Sequence, residues 1–207
     1  IGVERVVEIL VHGPGADDVA STIVWNIRIP RILAAIAIGA SLALAGTVMQ
    51  SVLHNPLGSP YTLGISHAAM FGAALAIVVF DAGQIAVGTD TGISIANPYF
   101  VTIVAFLASL SSAGVILALA TYRGASPETM ILTGIALSSL FTAGTTAMQY
   151  FADQNDLASI VFWSFGDVSR ATWTNLGVVV AVLVPSVAYF LHESWRYNAL
   201  DAGDETA

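Results

Sequence analysis

Five long stretches of this chain contain no Asp, Glu, Lys or Arg: Ile32 to Leu53, Leu63 to Phe80, Tyr99 to Tyr122, Met130 to Phe151 and Thr174 to His192. A bilayer core of about 30 Å takes roughly 20 helical residues to cross, and a charge at its centre costs at least about 2.5–3.5 kcal/mol. Backbone in lipid must satisfy its own hydrogen bonds, so the stretches predict an all-α, polytopic transmembrane bundle of about five spans, Leu63 to Phe80 being the shortest. Composition agrees: 56% of the 207 residues are hydrophobic and 10% charged, against about 25% charged in a soluble domain. A soluble enzyme built around one core is excluded.

The segments between these stretches have their own signals. Val3 to Leu10 sets Glu4, Arg5 and Glu8 among aliphatic residues and breaks at His12-Gly13-Pro14-Gly15, which predicts a short amphipathic helix ended by a turn. Leu157 to Phe165 is apolar but too short to cross, and fits a re-entrant or interfacial helix. Trp25, Trp163, Trp173 and Trp195 fall near span ends, where indoles form a belt at the headgroups. Pro185 predicts a kink in the last span.

Two spans carry patterned faces. Gly39, Ala43, Gly46 and Gln50 make a small-residue stripe that would let another helix approach and give Gln50 a protein partner. Gly134, Ser138, Thr142, Thr145 and Gln149 share one face of the fourth span, which could line a polar pathway or hydrogen-bond to neighbouring helices; spacing does not decide between the two.

Enzyme chemistry is poorly represented. With six arginines, no lysine and a net charge of -8, the chain lacks a P-loop and would not attract nucleic acid by charge. The absence of Cys excludes disulfides and cysteine nucleophiles. His12, His54, His67 and His192 show no metal-binding spacing and read as turn or interface residues, and no serine sits in a nucleophile-elbow setting. Asn55-Pro56 and Asn97-Pro98 invite comparison with the paired half-helices of water channels, but Leu57 and Tyr99 follow them and no arginine stands just after the second.

One ordered series runs along most of the chain: Arg28-Ile-Pro-Arg31, then Gly39, Ala43, Gly46 and Gln50, then Asn55-Pro56-Leu57 with Pro60, Leu63 and Gly64. Leu132-Thr-Gly134-Ile-Ala136, Phe162-Trp-Ser-Phe-Gly166-Asp167 and Tyr197-Asn-Ala-Leu200 follow, with Gly203 and Ala207 at the end. This series closely resembles the permease subunits of ABC importers for vitamin B12, haem and iron-siderophores, the FecCD type. Such permeases have about ten spans and act as homodimers, so the resemblance implies one partial transmembrane permease domain over 1–207, holding the second to sixth spans.

The resemblance implies a multi-pass protein of the cell membrane with three protein partners: an ABC ATPase subunit, an extracytoplasmic solute-binding protein and a second copy of the permease. It implies no cofactor on this chain, with ATP and Mg on the ATPase. It gives Arg28 and Arg31 the role of docking charges for the binding protein, and places Ser138, Thr142, Thr145 and Gln149 along the pathway. Ser126, Pro127 and Glu128 would belong to a cytoplasmic gate, and Asn198, Leu200, Gly203 and Ala207 to the segment that couples to the ATPase. Counting arginines alone would put Arg28, Arg31 and Arg170 in the cytoplasm; the resemblance puts them outside, and the longer signal is followed. A secondary transporter would need an intramembrane Asp, Glu, Lys or Arg, which the five stretches lack.

Overall fold

The computed structural model describes residues 1–13, 19–82, 98–123 and 126–201. Pro14, Gly15, Asn97, Gly203 and Ala207 lie outside the described residues. Every regular element among those described is helical, and the chain divides into two compact units.

The first unit comprises 1–44 and 167–199. Helix α1 (Val3–His12) leaves Val3, Val7, Leu10 and Val11 exposed, while Arg5 Nη1 donates to Glu8 Oε2 at 2.6 Å. It ends at Gly13, whose φ of 80° lets its N–H turn back to the Ile9 carbonyl at 3.0 Å, as the Gly-Pro-Gly signal predicts. Helix α2 (Val19–Thr22) continues through a π-helical stretch, Ile23–Arg28, into α3 (Ile29–Leu53), a helical run of 35 residues. Pro30 has no N–H to return to the carbonyl four residues back, and just ahead of it the Ile29 N–H reaches five residues back to Val24.

Trp25 and Trp173 do more than mark a headgroup belt. Trp25 Nε1 donates to the Ile9 carbonyl at 3.3 Å, and Trp173 Nε1 donates to the Trp25 carbonyl at 3.0 Å. The two indoles tie α1, the π-helical stretch and the start of α8 (Trp173–His192) together. Thr172 caps α8 by accepting from the Asn175 N–H at 3.2 Å. Helix α8 runs unbroken through Pro185, and its Leu176 packs against Ala34 and Ala37 of α3. Those alanines, rather than the glycine stripe, meet α8: a Cβ built at Gly39 or Gly46 meets nothing within 4 Å among the described residues, and Gln50 is exposed. Helix α9 (Ser194–Asp201) follows Glu193, which pairs with Arg196 at 2.8 Å.

The second unit takes in the described residues of 45–166 and those from 200 onward. Its centre is α4 (Ile65–Val79), flanked by α5 (Pro98–Arg123), α6 (Pro127–Phe151) and α7 (Gln154–Phe165). Ala73, Ala74, Ala76 and Ile77 of α4 form one core with Val101 and Ala105 of α5 and Ile160 of α7. Gly72 makes that closeness possible, because a Cβ there would stand 2.7 Å from the Ala108 Cβ and 2.8 Å from the Val104 carbonyl oxygen. Helix α7 has Asp153 as its N-cap, accepting from the Asp156 N–H at 2.8 Å, and turns its Ser159–Ile160 side inward. Burial raises the Asp156 carboxyl above its ordinary range, with Asp153 and Asp81 adding to the effect.

Four helical runs among the described residues are long and apolar enough to cross a bilayer: Val19–Leu53, Tyr99–Tyr122, Pro127–Phe151 and Trp173–His192. They contain the first, third, fourth and fifth predicted stretches. The second stretch is served by α4, whose 15 residues rise about 22 Å. Six of those residues are buried by protein, so the helix is not required to match the hydrocarbon thickness along its whole length.

Candidate functional site

The loop from His54 to Gly64 is where the sequence motif takes physical form. The Asn55 Oδ1 accepts from the Leu57 N–H at 2.9 Å, an Asx-turn that starts the reversal, and the Gly58 N–H closes it on the Asn55 carbonyl at 3.0 Å. Ser59 and Thr62 then cap one another: Thr62 Oγ1 accepts from the Ser59 N–H at 2.9 Å and Ser59 Oγ accepts from the Thr62 N–H at 3.2 Å. Gly64, at φ 74°, redirects the chain into α4. Two motif glycines meet there, since a Cβ on Gly64 would lie 2.9 Å from both the Gly134 carbonyl oxygen and the Ser138 Oγ. The end of the loop, Thr62 to Gly64, therefore presses on α6, and Leu53, Leu63 and Ile116 close an apolar cluster with Met130, Ile131 and Leu137 beside it.

Beside that contact α6 presents its polar face to an open cavity of about 600 Å³ lined by His67, Ser138, Ser139, Thr142, Ala143 and Thr146. A second hollow of about 130 Å³ adds Met70, Thr145 and Gln149. All four predicted pathway residues line one or the other, with Thr145 the deepest at 6% exposure. Their hydroxyls follow one rule. Ser138 donates to the Gly134 carbonyl at 2.8 Å, Thr142 to Ser138 at 2.7 Å, Thr145 to Phe141 at 2.9 Å and Thr146 to Thr142 at 3.0 Å. Ser139 does the same to Ile135 at 3.0 Å. His67, read from sequence as a turn or interface residue, stands on α4 and lines both hollows. Its ring lies 4.6 Å from that of Tyr61, and its Nδ1 is buried without a hydrogen-bond partner among the described residues.

Other predicted residues lie elsewhere. Arg28 closes the π-helical stretch and Arg31 opens α3; both are exposed, and neither forms an ion pair within 4.0 Å with a described residue. In the same unit Arg170 pairs with Asp167 at 3.3 Å. The hydroxyl and N–H of Ser169 hold the Asp167 carboxyl below its usual range, with Arg170 and Arg31 contributing.

Ser126 is the N-cap residue of α6, with extended backbone and Pro127 in the first turn, and its side chain accepts from no backbone N–H among the described residues. Its Oγ lies 3.4 Å from Thr129 Oγ1; Ser126 and Glu128 are exposed and Pro127 half-buried. In α9, Asn198 is exposed, while the Leu200 carbonyl accepts from His54 Nε2 at 3.1 Å. That bond fastens the motif loop to the predicted coupling segment, a link across 146 positions that no sequence spacing announces.

The whole of residues 1–207 matches the sequence profile of a family described as the FecCD transport family. Over 206 residues the chain is 55% identical to a protein of Methanocaldococcus jannaschii assigned as an ABC transporter permease, which covers 99% of this chain and 58% of that one. A hemin transport system permease protein of Yersinia pestis is 33% identical over 185 residues, 89% of this chain and 53% of its own length. Among solved structures, an ABC transporter assigned to the metal-chelate type, in an inward-facing conformation, aligns with a TM-score of 0.76 at 28% identity, covering 98% of this chain and 65% of that one. The chain spans about half the length of the curated relatives it matches.

Proposed function

We propose, starting from the fact that this chain belongs to the FecCD transport family, that it is part of the permease subunit of an ATP-driven importer for a large metal chelate or corrinoid. The cargo class is cobalamin, an iron-siderophore or haem, handed over by an extracytoplasmic solute-binding protein. Two permease copies form the pathway, and a separate ATPase subunit hydrolyses ATP. The observation that carries this reading is the hydroxyl-lined cavity on α6, in a helix otherwise apolar enough to cross the bilayer. Uptake into vesicles by the full-length protein with its binding protein should require both the ATPase and ATP. Comparable uptake without the ATPase would overturn the assignment in favour of a channel or secondary transporter.

Thr142 supplies a direct test of the pathway. In the full-length protein, Thr142→Cys is expected to react with a water-soluble thiol reagent on the order of tenfold faster than Leu140→Cys, because only a hydrated thiol ionises and meets the reagent. Equal rates at the two positions would remove α6 from the pathway.

Arg28 and Arg31 are proposed to meet carboxylates on the binding protein. The simpler role, snorkelling anchors at the membrane surface, predicts no effect on docking. Reversing both to Glu is expected to weaken association roughly tenfold or more at low salt and to flatten its salt dependence, as loss of electrostatic steering requires. Unchanged association would leave only the anchoring role.

A further inference from the structure

The hydrogen-bond ledger of the α6 cavity says more about its cargo than its size does. A hydroxyl has one proton, and each of the five lining hydroxyls has already given it to the carbonyl four residues back. What these side chains offer a passing molecule is lone pairs. No lining residue is an Asp, Glu, Lys or Arg, so N–H donors come only from the Gln149 amide and the His67 imidazole. His67 approaches from α4, a different helix from the hydroxyls, with its ring against Tyr61. Its buried Nδ1 finds no partner among the described residues. An N–H buried without an acceptor is rarer in proteins than an unused lone pair, so the favoured tautomer carries the proton on Nε2, at the opposite edge of the ring.

We propose that His67 is the cargo-contacting donor of this cavity, and that the cavity passes chelates faced with N–H and O–H donors and free of net negative charge. Five acceptor oxygens pair naturally with amide or hydroxyl donors. A carboxylate-faced chelate would lose its hydration against lone pairs and find on this surface of each copy only the Gln149 and His67 donors. The inference rests on α6 lining the pathway, and it selects among the chelates that reading leaves open.

The test uses Thr142→Cys in the full-length protein, assembled with its ATPase, and follows thiol labelling above the parent protein's background. Two neutral, amide-bearing probes, dicyanocobinamide and ferrichrome, are compared with the carboxylate-faced corrin dicyanocobyrinic acid at equal concentration. At least one neutral probe is expected to slow labelling by about fivefold or more while the polyacid leaves it within about twofold, a contrast that one or two hydrogen bonds supply. His67→Leu should abolish the protection, whereas His67→Gln, which keeps an N–H donor, should retain most of it; unprotected labelling rates equal to those of the parent Thr142→Cys protein report that both variants fold. Failure of Thr142→Cys to label removes the pathway reading and this inference together. Labelling that is protected equally by the polyacid, by neither neutral probe, or in His67→Leu overturns this inference alone and leaves the pathway standing.

Discussion

Gly134→Val is expected to leave almost no folded protein to purify. A Cβ at position 134 would stand 2.7 Å from the Leu63 Cα, 2.8 Å from the Thr62 carbonyl oxygen and 3.1 Å from the Leu63 carbonyl carbon, all backbone atoms. No side chain can rotate away to relieve these contacts. The loop would have to lift from α6, and its exit through Gly64 is already committed to a left-handed turn against that helix. Overpacking a tight core costs about 1–3 kcal/mol even where neighbours can adjust, and a branched side chain against fixed backbone exceeds that. Detergent-solubilised yield and thermal melting followed by size-exclusion fluorescence give the measurement. Gly114→Ala is the matched control, because a Cβ there meets nothing within 4 Å and alanine is about 1 kcal/mol better than glycine in a helix interior. Parental melting in Gly134→Val would mean that the loop does not press on α6.

Cross-linking Ser126→Cys to its counterpart in the proposed second permease copy is expected to stop uptake while leaving ATP hydrolysis by the proposed ATPase partner measurable. The residue is exposed and sits where extended chain turns into α6, with Pro127 fixing the first turn behind it. A short tether at the start of a stiff helix that also carries the polar face would hold both copies at one separation. The proposed gate needs that separation to change in each cycle. Full uptake by the cross-linked dimer, restored to nothing further by a reducing agent, would reject the gate and leave a plain helical hairpin turn.

Much of the fold could be read directly because its determinants are local. Uncharged runs set the long helices, Ser126-Pro127 marks the start of α6, and Gly13 stops α1. The hydroxyl face of α6 was also visible, since residues three and four apart share a helix face. What faces it was not. His67 lies in an uncharged stretch with no second histidine at helical spacing, and its neighbours across the cavity come from a helix that begins at Pro127. Pairing between helices depends on which small residues let two backbones close, and periodicity is silent on the choice. Gly39 and Gly46 look as well suited as Gly72, yet only Gly72 has a neighbouring helix within contact of a built Cβ. The Asn55 turn was legible as a helix break but not as a fastening, because the His54 bond to the Leu200 carbonyl joins residues 146 positions apart.

That last bond sets a clock for biogenesis. A ribosome adding about 5–20 residues per second takes roughly 7–30 s to travel the 146 positions from His54 to Leu200. Throughout that interval the turn at Asn55 has been synthesised while the carbonyl it is fastened to has not. The turn at Asn55 is thus fastened to the proposed ATPase contact only after the four long helical runs between and around them have all been made.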